Sequence, residues 1–413
     1  LLLNPFTPLP TRYLTFGFLH FFFSSVGQTF FISLFVARMT ERMDWGDSTF
    51  AGLYSGVTLT AALLLPLIGK QIDALKVRYV STVTAAFVVL GTVLLALSQT
   101  TAVIVAGLFL VRLGGQSVLP LIGSTTIGRY FNARRGRALS LSILGISVAE
   151  VILPPLATYA IVSYGYPVVW GLMGGAVAFL FVPAVWLLIG RYDDFQRADL
   201  VAASTRGGAG TQVQGKSGDI HSSTRGQVLR DRRFQLILPI VLFVPFVFTG
   251  LVFNQSVIAE QRGYVVELMA YGLSAYGLVR VVFLLTGGDL VDRIGPDRLL
   301  RFTLIPAVAG LLLLLLVDAD WVVPVFFALF GTSGGIESVL LPALWAQRYG
   351  PRYLGSIKST VRLFVVISSA AAPIVFSYGL RWGLTTWLAI LLVYGLLCIA
   401  LAWIERRVHR QDL

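Results

Sequence analysis

Residues Ala270–Gly295 read AYGLSAYGLVRVVFLLTGGDLVDRIG. The segment is an apolar run that carries one arginine, Arg280, then a glycine pair, Gly287-Gly288, then a charged stretch to Gly295. A guanidinium inside a hydrocarbon-compatible helix is costly, so Arg280 is expected to face a polar cavity, a partner or a bound solute rather than lipid. The glycine pair predicts that the helix breaks there and that Gly288-Asp-Leu-Val-Asp292 forms a turn.

That segment has a counterpart earlier in the chain. Gly69–Asp73 (GKQID) precedes Gly288–Asp292 (GDLVD) by 219 residues (288 minus 69), with glycine and aspartate in register. The same offset places Arg129-Tyr130…Gly136 on Arg348-Tyr349…Gly355, and Pro154 on Pro373. Landmarks this far apart sharing one offset predict two structurally equivalent halves.

Composition names the solvent. The 413 residues are 56% hydrophobic and 13% charged, with a mean hydropathy of +0.80. Soluble chains carry about 25% charged residues, so this one is solvated mainly by lipid. Spanning a bilayer takes about 20 apolar residues, and twelve runs qualify, near 12–37, 50–70, 79–98, 101–129, 137–162, 165–190, 233–259, 267–288, 299–317, 321–347, 356–378 and 382–405. Of the 32 lysines and arginines, Arg38, Arg42, Arg262 and Arg381 fall on one side, Arg112, Arg280 and Arg362 fall inside runs, and the remaining 25 fall on the side holding both termini. This asymmetry predicts a multi-pass protein of the plasma (inner) membrane with both termini cytoplasmic. It also explains the net charge of +12 without invoking nucleic acid. Cys398 is the single cysteine, which excludes a disulfide framework or a cysteine-based metal site within one chain. No cleavable signal is evident, the first run is expected to stay as a span, and the start at Leu1 suggests a trimmed sequence.

The runs divide as an N-terminal bundle over 1–190, a cytoplasmic linker over 191–232 and a C-terminal bundle over 233–413. The linker is rich in Gly, Ser and Thr and reads as flexible. Within it Gly210–Ser217 (GTQVQGKS) fits a phosphate-loop pattern by letter, but lacks the preceding strand and following helix that would aim backbone amides at a phosphate. It is read as a chance match.

Twelve spans in two sixes, a central loop and the paired Gly-x-x-x-Asp turns resemble the major facilitator superfamily, over essentially the whole chain. Gly288-Asp-Leu-Val-Asp292-Arg293-Ile-Gly295 is close to that family's signature; Gly69-Lys-Gln-Ile-Asp73 keeps its Gly and Asp. The resemblance implies that Gly69, Asp73, Gly288, Asp292 and Arg293 staple neighbouring helices and help set the gating equilibrium. Val111-Arg112-Leu-Gly-Gly-Gln116 looks like the family's buried-arginine motif. Tyr130-Phe-Asn-Ala-Arg134-Arg135-Gly-Arg-Ala138 and Gly277-Leu-Val-Arg280 are similar to segments of monocarboxylate and oxalate/formate transporters. In those carriers the arginine matching Arg280 binds a substrate carboxylate.

Heights along the runs, at about 1.5 Å per residue, suggest partners for the buried charges. Arg280 lies eight residues before Gly288 and Glu337 eleven before Arg348, which predicts an Arg280–Glu337 pair. Arg112 and Glu150 match likewise and are expected to pair. An anion taking Arg280 would then leave Glu337 without its counter-charge and let it take up a proton, with Glu150 and Arg112 as the competing proton-coupling set. Tyr276, one turn before Arg280, could donate to the same anion. His20, Ser24 and Gln28, spaced i, i+4, i+8, predict a polar stripe lining the cavity, and Asn254 and Gln255 are expected near its outer mouth. Lys358 and Arg362 are expected to snorkel to the surface.

These features predict an all-α membrane protein whose two six-helix bundles rock about a central site. The expected function is secondary active transport: a monomeric, proton-coupled carrier of a small organic anion of the monocarboxylate type. Its partners are that anion, the proton and the bilayer. No cofactor and no metal is called for, and no nucleophile–base set suggests an enzyme. A multidrug or metabolite exporter is the alternative, and a non-transporting membrane sensor a more distant one.

Overall fold

The computed structural model describes residues 9–130, 135–189, 225–349 and 354–411. The linker, its phosphate-loop-like Gly210–Ser217 and Phe131–Arg134 of the monocarboxylate-like segment lie outside the described residues. Among the described residues there are helices and connections and no strand. Among the described residues ten helices are long and apolar enough to cross a bilayer, a bent pair supplies an eleventh span, and a shorter apolar helix, Ile305–Leu316, stands where the remaining run was expected.

In chain order α1 is broken, running Leu9–Phe23, a 3-10 turn Ser24–Gly27, Thr29–Ile32, a second 3-10 turn Ser33–Phe35, and Val36–Met43. The next five are α2 (Asp47–Ala74), α3 (Val77–Ala96), α4 (Thr101–Val111 through Leu119–Tyr130), α5 (Arg135–Tyr164) and α6 (Tyr166–Ala176 through Val182–Ile189). The second half comprises α7 (Arg232–Phe253, extended by Gln255–Arg262), α8 (Val266–Ile294), α9 (Ile305–Leu316), α10 (Val322–Tyr349), α11 (Leu354–Gly379) and α12 (Leu384–Gln411). The offset of 219 reappears in these boundaries. It carries Asp47 onto Val266, Tyr130 onto Tyr349 and Arg135 onto Leu354. Side-chain clusters repeat as well. Arg78 stacks on Tyr79 and Trp186, each at 5.0 Å, in the first half. Arg301 stacks on Phe302 (6.0 Å) and Trp403 (5.2 Å) in the second.

Two sequence expectations are corrected here. Helix α8 does not break at Gly287-Gly288; it continues to Ile294, and the chain turns at Gly295, whose φ of 83° suits a residue without a Cβ. Likewise α2 runs through Gly69 and Asp73 to Ala74. The family-like segments at Gly69, Asp73, Gly288 and Asp292 are therefore last helical turns, not loops. A glycine inside a helix costs about 1 kcal/mol relative to alanine, which a close helix contact can offset. Gly287 supplies one, because a Cβ there would sit 2.6 Å from Val339 on α10. Arg293 is exposed at the end of α8.

Close packing of small residues holds the bundle, as lipid supplies no hydrophobic drive between helices. A Cβ at Gly27 would collide with the Val111 carbonyl of α4, and one at Gly145 with the Phe18 carbonyl of α1. Gly331, Gly334 and Gly335 of α10 all lie against α8, at Tyr276 and Phe283. At the end of the second half that carries the basic residues, Arg348 binds Asp297 and Glu405, Arg233 Nε donates to Glu405 at 3.0 Å, and Tyr349 Oη donates to Asp231 at 2.7 Å. This network ties the ends of α7, α10 and α12 to the turn after α8.

Candidate functional site

A cavity of about 490 Å³ lies between the halves. Its lining comes from α1, α4 and α5 on one side and α7, α8, α10 and α11 on the other. Toward the basic face it reaches Trp345 and Lys358; at the other end it stops at Gln28, Thr29 and Thr249. Beyond that level the halves are sealed together. Gln255 Nε2 of α7 donates to Ser33 Oγ of α1 at 3.0 Å, Phe253 packs on Tyr54 and Phe50 with ring centres 4.6 and 5.7 Å apart, and Arg381 reaches Ser48 at 3.2 Å. The structure is therefore open toward the basic face and closed on the opposite face.

Among the described residues five charged side chains line the cavity: Glu150, Arg280, Glu337, Lys358 and Arg362. Arg280 Nη1 donates to both oxygens of Glu150, at 2.8 and 3.0 Å, so the bridge joins α8 to α5 across the two halves. Its Nε is buried without a hydrogen-bond partner. A buried donor left unsatisfied costs about 1–3 kcal/mol, which is expected where a ligand completes the set. The guanidinium lies 6.0 Å from the Tyr276 ring, which stacks on Phe248 at 4.2 Å. Glu337, on α10, is buried and leaves Oε1 without a partner.

Neither expected charge pair forms. Arg280 meets Glu150, not Glu337, and the unbroken α8 is the reason. Arg280 lies fourteen residues before Ile294 and Glu150 fifteen after Arg135, so both sit about 21–23 Å from the basic end. Measuring depth from Gly288 sets Arg280 too shallow. Arg112 does not reach Glu150 either. Its Nη1 donates to the Gly27 carbonyl (2.9 Å), its Nε to Thr58 Oγ1 (3.0 Å), and it lies 4.6 Å from the Tyr54 ring. It is buried away from the cavity, where it satisfies a carbonyl freed by the break in α1 and braces α1, α2 and α4 together.

The expected stripe on α1 dissolves at the same break. Ser24 and Ser25 turn their hydroxyls back onto the Phe21 and Phe22 carbonyls (2.6 and 2.5 Å), and the pieces on either side meet at 42°. Gln28 reaches the cavity. Ser24 is buried in the bundle, and His20 is enclosed between Phe16 and Phe181, with Nδ1 on the Phe16 carbonyl (2.8 Å) and Nε2 on Ser81 Oγ (2.9 Å). Asn254 binds Gly250 and Ser377, at 2.8 and 3.0 Å, so with Gln255 it belongs to the sealed end rather than to the cavity wall. Lys358 and Arg362 are exposed, as expected, but the surface they reach is the wall of the cavity, and Arg362 forms no hydrogen bond or ion pair with any described residue. Their i, i+4 spacing puts them on one face of α11; that the face turns inward is not encoded in the spacing.

Twelve spans in two equivalent halves around a charged, one-sided cavity define a multi-pass membrane transporter. The chain belongs to the Major Facilitator Superfamily, whose sequence pattern matches residues 17–373. No curated protein matches it by sequence. In fold it is similar to the crystal structure of a bacterial homologue of the human lysosomal transporter Spinster, in an inward-facing and unoccupied conformation. The TM-score is 0.68 and the identity 15%, over 98% of each chain. At that identity the likeness concerns the fold alone.

Proposed function

We propose that the protein is a proton-coupled carrier of an organic anion that binds at Arg280. The observation that carries this reading is a half-buried guanidinium lining the cavity with Nη1 held by Glu150 and its buried Nε unsatisfied. A carboxylate on the Nε edge gains charge-assisted hydrogen bonds. The cavity's three cations outnumber its two carboxylates, which favours an anionic over a cationic solute. Glu337 is the group proposed to gain and lose the proton. It lines the cavity and forms no ion pair with a described residue, so the solvent and substrate reaching it decide its charge. Transport follows from rocking of the halves, 1–190 against 233–413, which closes the basic face and breaks the seal around Phe253 and Gln255. By the charge asymmetry the basic face is cytoplasmic, in a plasma (inner) membrane, and the carrier acts as a monomer.

A second substrate reading has its own observation. Arg362 lines the same cavity as Arg280 and has no hydrogen-bond or ion-pair partner among the described residues, so a solute with two anionic groups would satisfy both guanidinium groups. Uptake of labelled lactate, pyruvate, formate and oxalate into proteoliposomes, with and without an inwardly directed proton gradient (acid outside), tests both readings. Gradient-driven uptake of a monocarboxylate supports the first, and preference for oxalate the second. Uptake of none of the four, together with export of a cationic drug, would refute the anion reading and favour the exporter.

A further inference from the structure

The charged groups of the cavity are unequally shared. Arg280, Glu337, Lys358 and Arg362 all belong to the second half, and Glu150 is the only charged residue that the first half contributes among the described lining. That one residue is also the one holding Arg280. The place where it does so is a built seam between α5 and α8. Pro154 and Pro155 lie inside α5. Neither has an N–H, so the carbonyls of Glu150 and Val151, four residues earlier, lose their helical donors. The Val151 carbonyl accepts instead from Ser274 Oγ of α8 at 2.7 Å, across the two halves. One turn along α8, Gly277 lets the helices meet; a Cβ there would stand 2.8 Å from Glu150 Cβ and 3.0 Å from the Ser147 carbonyl. Arg280 follows one turn further toward the basic face and closes on Glu150.

We propose that Glu150 is a positioning residue whose bridge to Arg280 ties the two halves together in the arrangement open to the basic face. Through it the rocking of the first half sets the orientation of the guanidinium that the second half offers to the anion. Every other charged lining group moves with Arg280 as one body; only Glu150 can change its relation to Arg280 when the halves rock. A tie made in one arrangement and loosened in the other biases the equilibrium between them, and links it to what Arg280 binds. The inference rests on the cavity being a transport path, but not on the identity of the solute.

The test reads conformation with no anion present. Spin labels at Leu75→Cys and Ile294→Cys report the basic face, and labels at Leu97→Cys and Leu316→Cys the opposite face, in a Cys398→Ala background in lipid nanodiscs. Glu150→Gln is expected to shift the ratio of the two arrangements by about tenfold, within the roughly 5–150-fold range of coupled sites, shortening the first distance and lengthening the second. Glu150→Arg combined with Arg280→Glu rebuilds the bridge with its ends exchanged and should return both distances toward those of the unaltered protein. Unchanged distances in Glu150→Gln overturn the proposal. So does a shift that the exchanged pair fails to reverse, because that marks general disruption. If the exchanged pair does not fold, Glu150→Asp serves, and loss of the original ratio in that charge-preserving variant also overturns the proposal. Titration with pyruvate and oxalate is run separately; absence of binding defeats the anion reading while the distance result stands by itself.

Discussion

Replacing Arg280 by lysine separates the two edges of this side chain. In the structure Nη1 is committed to Glu150, with bonds of 2.8 and 3.0 Å, while Nε is buried and unsatisfied. Lysine keeps a cation for Glu150 but offers no planar second edge, so the variant loses a hydrogen bond to an anion rather than the cavity's charge balance. A hydrogen bond to a charged group contributes about 1.5–3 kcal/mol. At about 1.4 kcal/mol per decade, anion affinity in Arg280→Lys should fall roughly 10- to 140-fold. The assay is isothermal titration of the purified protein with whichever anion the proteoliposomes take up, paired with initial uptake rates and a thermal melt to verify folding. A folded variant that binds the anion as tightly as the parent would refute the assignment of Nε to the substrate, and with it the central argument for an anion site.

Other consequences follow from the same geometry. Glu337→Gln should abolish acceleration by a pH gradient while sparing counterflow; equal gradient drive in the variant and the parent would move the proton to Glu150 or elsewhere. Phe253→Ala removes the ring packed on Tyr54 and Phe50, and should raise maleimide labelling of Thr29→Cys from the face opposite the basic one; unchanged labelling would mean that Phe253 is not part of the seal. Arg112→Leu strands the Gly27 carbonyl and Thr58, two charge-assisted bonds at about 1.5–3 kcal/mol each, so its melting temperature in detergent should drop well below that of the parent. Gly145→Ala drives a Cβ into the Phe18 carbonyl, an overpacking cost of about 1–3 kcal/mol, whereas Gly171→Ala meets nothing within 4 Å, gains helix propensity and should melt slightly above the parent.

Part of this architecture is written in the chain. Apolar length fixes which segments can lie in a bilayer, because it is a sum over many residues that survives local error. The repeat at 219 residues survives too, since equivalent folds keep equivalent landmarks. Arg280 was legible as a cavity residue for a simple reason: a guanidinium facing lipid is costly. Its partner was not legible. A sequence gives height along a helix but not the direction a side chain points, and even the height fails when a helix runs on past a glycine pair, as α8 does to Ile294. Arg112 binds a backbone carbonyl that exists as an acceptor only because α1 breaks at Ser24–Gly27, and the same break scatters His20, Ser24 and Gln28. Lys358 and Arg362 read correctly as exposed, but that the surface they reach is the cavity wall depends on how α11 packs. Composition and periodicity thus determined the membrane, the twelve spans and the two halves. Which charges meet was decided by helix rotation and by contacts between residues more than a hundred positions apart, Glu150 and Arg280 first among them, and these depend on the assembled bundle rather than on any local stretch.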